Sequence, residues 1–207
     1  MLKDMKIKNF LDMLASKSAT PGGGSVAALT GTMGAALLSM VSNLTVGKEQ
    51  YKEVEDDIKD LLKKSESFRT TLEELMEKDV EVFNQFMAIM KLPRTNEEEK
   101  KDRNQKMQIA LIEAAKVPLE IARKSKEVID ICLEIADKGT RNAISDVGVG
   151  VLLAEAAFHS AIINVKINLN MIKDENIKRE FSQEIESLNS QVKGEKDRVL
   201  KIVLQRL

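Results

Sequence analysis

Asp79 stands in the middle of an apolar helical stripe. Counting about 100° per residue, it lies within roughly 20° of the centre of the arc made by Leu72, Met76, Phe83 and Met90. A carboxylate there loses solvation, so its pKa is expected to rise unless a cation or donor answers it. Such groups are either paired structurally or used as acids and bases, and position alone divides the two readings evenly.

Two loops offer further chemistry. The first, Ser18-Ala19-Thr20-Pro21-Gly22-Gly23-Gly24-Ser25, ends on a residue suited to cap a helix. Three glycines let the backbone approach a ligand and leave N–H groups for an anion. The order Gly-x4-Gly-Lys-Ser/Thr is absent, because Gly47-Lys48 is followed by Glu49, so this is no P-loop. Taken alone, the run reads more simply as a flexible turn. The second loop runs from Gly139 to Asp146, with Arg141 and Asn142 ahead of Ser145 and Asp146, either of which could cap the next helix. Two such loops, each opening a weakly charged helix, suggest one shared pocket. In the second of these helices the row Gly150, Ala154, Ala157, Ala161 is small and ends in two amides, Asn164 and Asn168. Buried amides need partners, either another helix or a ligand. His159, one turn after Glu155, reads as structural more readily than catalytic.

These residues must be positioned by helices. Only three prolines and no convincing alternation argue against sheet, and the apolar spacing is helical nearly everywhere. A short helix is expected over about 5–16, with Ile7, Phe10, Leu11 and Leu14 on one face. A chargeless helix runs from Ser25 to about Thr45. Its stripe Ala27, Gly31, Ala35, Ser39 suits close packing, inside one subunit or across a dimer seam. One long helix follows over 49–90. Another begins after the charged segment Arg94 to Arg103, kinked or split at Pro118 and closed by Gly139 as C′. A further helix reaches about Asn168, and the last runs from Glu175 to the C-terminus. The expected fold is all-α, an up-and-down bundle of six or seven helices, two of them long, in one domain over 1–207.

Composition narrows the function. The 207 residues carry 32 Lys+Arg against 33 Asp+Glu, a net charge of −1, with one His, one Cys and no Trp. A disulfide framework and Cys- or His-rich zinc sites are excluded. Few aromatics and no basic excess argue against nucleic acid. No signal-peptide core interrupts the charged N-terminus, and the uncharged stretch from Ala19 to Gly47 is too polar and small for a membrane span. The expectation is a cytoplasmic, soluble protein.

Taken in order, Thr20-Pro21-Gly22-Gly23-Gly24-Ser25-Val26-Ala27-Ala28, Gly47-Lys48 with Tyr51, Asp79, Ser145-Asp146-Val147-Gly148-Val149-Gly150 and Asn164-Val165-Lys166-Ile167-Asn168 form a specific combination. It resembles the cyclodeaminase domain of the formiminotransferase-cyclodeaminase family over almost the whole chain. A departure falls at Phe158-His159-Ser160, where smaller residues are expected.

The resemblance implies a helical homodimer with a folate pocket near the subunit interface and no metal or redox cofactor. It implies conversion of 5-formiminotetrahydrofolate to 5,10-methenyltetrahydrofolate and ammonia. The alternatives are methenyltetrahydrofolate cyclohydrolase activity, described for some stand-alone relatives, and a non-catalytic dimer that binds folate or a partner helix. On this reading Asp79 is the acid/base carboxylate and stabilises the cationic methenyl group, with Asp146 second for either task. Lys48 donates a proton or binds a carboxylate. The N–H groups of Gly22, Gly23 and Gly24, with Arg141, suit the pterin carbonyl or glutamate tail. Thr20, Pro21, Ser25, Tyr51, Asn142, Ser145, Asn164 and Asn168 complete the substrate-binding set.

Overall fold

Apolar residues spaced by threes and fours wind the chain into helices, and the computed structural model, which describes residues 1–207, contains no strand. The seven α-helices are α1 (Ile7–Leu14), α2 (Gly23–Thr45), α3 (Glu55–Met90), α4 (Glu97–Lys138), α5 (Ile144–Leu169), α6 (Glu175–Val192) and α7 (Glu195–Arg206). Helices α2 to α5 run up and down, and each packs on its sequence neighbours while α5 closes the ring against α2. The core between them holds Leu38, Ile58, Leu72, Ile129 and Phe158, all fully buried. Each such side chain contributes about 1.5–3 kcal/mol of burial free energy.

The small stripe of α2 is used inside the subunit. A Cβ on Gly31 would touch Leu72 of α3, Ser125 of α4 and Ala157 of α5, and one on Gly34 would stand 3.0 Å from the Gly150 carbonyl. Helices α2 and α5 are therefore in near-backbone contact. Both are long and apolar enough to cross a membrane by length and composition, and here that apolarity is spent largely on the bundle core.

Several boundaries differ from the sequence expectation. Helix α2 starts three residues early, with Gly22 in place of Ser25 as N-cap, so Ser25 lies buried in the first turn and caps nothing. The 49–90 segment opens as a 3-10 turn, Glu49–Val54, before α3. Pro118 neither ends nor splits α4, which runs unbroken for 42 residues. Gly139 is the C-cap of α4 with φ −70°, and its value lies in space: a Cβ would stand 2.6 Å from the Ile135 carbonyl oxygen and 3.0 Å from Val41. Neither Ser145 nor Asp146 caps α5, which starts from Ala143 after a 3-10 turn over Arg141–Ala143. The C-terminal helix breaks at Gly194, whose φ of +83° is a left-handed conformation natural to glycine. The break lets α7 fold back on α4 and α5, where Val199 and Val203 are buried and Arg206 donates to the last carbonyls of α4, those of Ala136 and Asp137, and to Gly139. In α1, Phe10 is the buried residue, while Ile7 and Leu11 face solvent.

Candidate active site

The α3–α4 hairpin is longer than α2, so its far end overhangs the point where α2 begins and α5 ends. This leaves a cavity of ≈ 280 Å³ lined by Thr20, Gly22, Gly23, Gly24, Asp79, Phe83, Phe86, Pro118, Asn164 and Asn168, among others. Such a volume lies just below the usual range of ligand sites, about 300–1,000 Å³. A wider hollow of ≈ 720 Å³ lies along the start of α4, but it is open and lined almost wholly by polar side chains of that one helix, with no group converging on it.

Asp79 is the one ionisable group in the cavity wall. It answers to Ser25, whose hydroxyl donates to Oδ2 at 2.8 Å. Burial pushes its pKa above the ordinary carboxylate value, and the Ser25 hydroxyl and backbone N–H oppose that rise without cancelling it. No cation is paired with it. The loss of solvation expected from the stripe position is therefore borne out, and it is answered by donors alone. Gly24 is the reason the carboxylate can stand there. A Cβ on Gly24 would overlap Asp79 Oδ1 and lie 2.6 Å from its Cγ.

The amides of α5 form the facing wall. Asn164 Nδ2 donates to the Ser160 carbonyl at 2.8 Å, and Asn168 Nδ2 donates to the carbonyls of Ala114 and Asn164, each at 3.0 Å. Phe83 and Phe86 close the third side. Sequence periodicity places these phenylalanines in the core stripe of α3, but they fall past the start of α2 and so face the cavity instead. Pro118, Ala114, Ile167 and Met171 also line it and carry no signal in the sequence beyond apolar character. Pro21 is buried just behind the rim.

The second loop lies elsewhere. Helix α2 spans 23 residues, about 34 Å, and Lys48, Tyr51, Arg141, Asn142, Ser145 and Asp146 gather at its far end. There Lys48 Nζ donates to Thr140 Oγ1 at 3.1 Å, the Arg141 N–H donates to Tyr51 Oη at 3.0 Å, and Arg141 Nε donates to the Arg206 carbonyl. The Arg141 N–H also holds the Tyr51 pKa below its usual value. Antiparallel packing of α2 on α5 puts the two loops at opposite ends, so one subunit does not join them in a shared pocket. His159 stays outside the site, because Glu155 pairs with Lys196 at 3.2 Å and leaves it exposed, and the lone Cys132 is a fully buried thiol raised in pKa by burial. No three His, Cys, Asp or Glu side chains come close enough to hold a metal ion.

Comparison with known proteins gives the family and the fold. The family model described as formiminotransferase-cyclodeaminase matches residues 6–187. This chain belongs to that family. Its members similar to this chain include a methenyltetrahydrofolate cyclohydrolase of Methylorubrum extorquens, 45% identical over 97% of each chain. The formimidoyltransferase-cyclodeaminase of Gallus gallus is 34% identical over 95% of this chain, which spans 36% of that longer protein. Among solved structures, the formiminotetrahydrofolate cyclodeaminase of Thermotoga maritima superposes with a TM-score of 0.88 at 33% identity, covering 99% of this chain and 98% of the other. Both the family and the all-α fold expected from the sequence therefore hold, and these relatives are folate one-carbon enzymes.

Proposed function

We propose that this chain hydrolyses 5,10-methenyltetrahydrofolate to 10-formyltetrahydrofolate. The observation that carries the reading is the 45% identity, end to end, with a protein of that activity, against 31–34% for the animal formimidoyltransferase-cyclodeaminases. The cavity supports it. The methenyl bridge is a cation, and the cavity offers one carboxylate and no positive side chain. Asp79 takes a proton as water attacks the bridge carbon, giving a neutral tetrahedral adduct. The C–N5 bond then breaks, N5 receives a proton from Asp79, and the hydroxyl proton of the adduct leaves to solvent. One water is consumed and one proton released. A carboxylate with a raised pKa suits both transfers. The N–H groups at the start of α2 face the same space and suit the pterin carbonyl.

The second reading is cyclodeamination of 5-formiminotetrahydrofolate, supported by the likeness to the Thermotoga protein. There N10 attacks the formimino carbon, Asp79 takes the N10 proton and passes it to the formimino nitrogen, and that nitrogen gains one more proton from solvent as its bond to carbon breaks and ammonia leaves. Both reactions pass through a tetrahedral carbon between N5 and N10, so the same residues serve either. A paired assay separates them. Loss of 5,10-methenyltetrahydrofolate above its spontaneous rate, with no ammonia from the formimino compound, is the expected result. Methenyl formation with stoichiometric ammonia would transfer the protein to the cyclodeaminases, and silence in both would leave a folate-binding dimer.

The same reading includes a homodimer. Helix α2 leaves Met33, Met40 and Leu44 exposed along one face, and the adjacent α5 leaves Val149, Leu152, Ile163 and Ile167 exposed. Ile167 also lines the cavity. Two helices side by side, each about 10 Å wide and over 30 Å long, present an area near that of one side of a stable interface. Sedimentation equilibrium should give twice the chain mass, and Leu152→Glu should shift it to a monomer. A wild-type monomer at micromolar concentration would remove the interface from the reading.

A further inference from the structure

Pro118 lies buried inside α4 and lines the cavity. A proline in a helix has no N–H, so the carbonyl four residues before it loses its partner. That carbonyl belongs to Ala114, and Asn168 of α5 supplies the missing donor at 3.0 Å. The second acceptor of the same amide nitrogen is the Asn164 carbonyl. Both N–H bonds of Asn168 are thus spent on the protein. The amide cannot flip, because an oxygen in that position would face two carbonyl oxygens. On the next turn Asn164 is oriented the same way, with its Nδ2 on the Ser160 carbonyl. Neither Oδ1 receives a donor from the protein, and neither is buried out of reach of solvent.

We propose that Pro118, Asn168 and Asn164 form a device that presents two carbonyl oxygens to the ligand and so selects its donor edge. In a pterin that edge is the N3–H and the 2-amino group, two adjacent donors that call for acceptors. Pro118 is a positioning residue here, acting only through Asn168. The edge opposite, with the reacting N5, then turns toward Asp79. This inference rests on the folate reading and adds how the ring is oriented.

The test compares binding of 5-formyltetrahydrofolate, a stable folate, with that of its 2-desamino-2-methyl analogue by calorimetry. Wild-type protein should prefer the 2-amino compound by about tenfold or more, the worth of a well-made hydrogen bond in a closed site. Asn164→Ala, whose lost contact is to its own helix, should fold and reduce the preference to about twofold. Asn168→Ala strands the Ala114 carbonyl and should lower Tm. Adding Pro118→Ala restores the helical N–H, so the double variant should recover that Tm while still lacking the preference. An unchanged preference in Asn164→Ala and in the double variant would overturn the readout of this edge. An equal Tm for Asn168→Ala with and without Pro118→Ala would overturn the role of the proline. If wild-type protein binds neither compound, the folate reading itself falls, and this inference with it.

Discussion

Asp79→Asn should lower kcat by a factor of about 10² to 10⁴, the range for loss of a positioned acid/base group. The same substitution should raise Tm. The two signs follow from one cause. Burial lifts the folded-state pKa of Asp79, so between the unfolded and folded pKa values the native state binds more protons than the unfolded one. Stability then falls as pH rises through that window, and above the folded-state pKa the protein carries the full cost of a buried, unpaired carboxylate. Asparagine keeps an acceptor for the Ser25 hydroxyl and removes the charge. Thermal melts from pH 4 to 8 should show the wild type losing stability relative to Asp79→Asn as pH rises. The activity of the wild type should rise over the same window as the base deprotonates. A variant that loses activity and also melts lower at neutral pH would show that the carboxylate is structural, answered by a donor network stronger than the Ser25 contacts.

Gly24→Ala should be nearly as damaging, by geometry alone. The added methyl lies 2.6 Å from Asp79 Cγ, and α2 cannot retreat because Ala27, Ala28 and Gly31 press it against its neighbours. The carboxylate must therefore swing away and give up its bond to Ser25. A displacement of about 1 Å at a reacting group costs on the order of 10² in rate, and overpacking adds roughly 1–3 kcal/mol of instability. Gly23→Ala is the control for stability and for the place of the carboxylate, not for ligand binding. Its methyl would meet Asn164 at 3.2 Å, a contact a side-chain amide can relieve by a small shift. The decisive comparison is Gly24→Ala with and without Asp79→Ala. Emptying the carboxylate's space should return the stability that the methyl removed, a coupling that a double-mutant cycle reads directly. Additive losses would mean that the methyl strains something other than Asp79.

The helices and their order were legible because helical periodicity is local. The chargeless α2, the long α3 and the break before Glu97 all follow from residues within a few turns of one another. Boundaries failed where a contact from outside the helix decided them. Ser25 has the side chain of an N-cap, but Asp79, 54 residues away, takes its hydroxyl, and the helix starts from Gly22. Pro118 has the chemistry of a helix break, but Asn168, 50 residues later, replaces the lost bond. Gly194 broke a helix that the apolar pattern carries straight through, because Val199 and Val203 bury better on α4 and α5 than in line with α6.

By itself the sequence determined the fold class, the family and the lone carboxylate in an apolar stripe. Each depends on residue type and spacing, which the chain carries in one dimension. Only the tertiary structure decided which of the singled-out residues share a cavity. It joined Thr20 and the glycine loop to Asp79, Asn164 and Asn168, and it left Lys48, Tyr51, Arg141, Asn142, Ser145 and Asp146 at the other end of the bundle. The physical reason is direction. Both loops open a helix, and α2 and α5 pack antiparallel, so two similar N-termini point to opposite ends of the molecule.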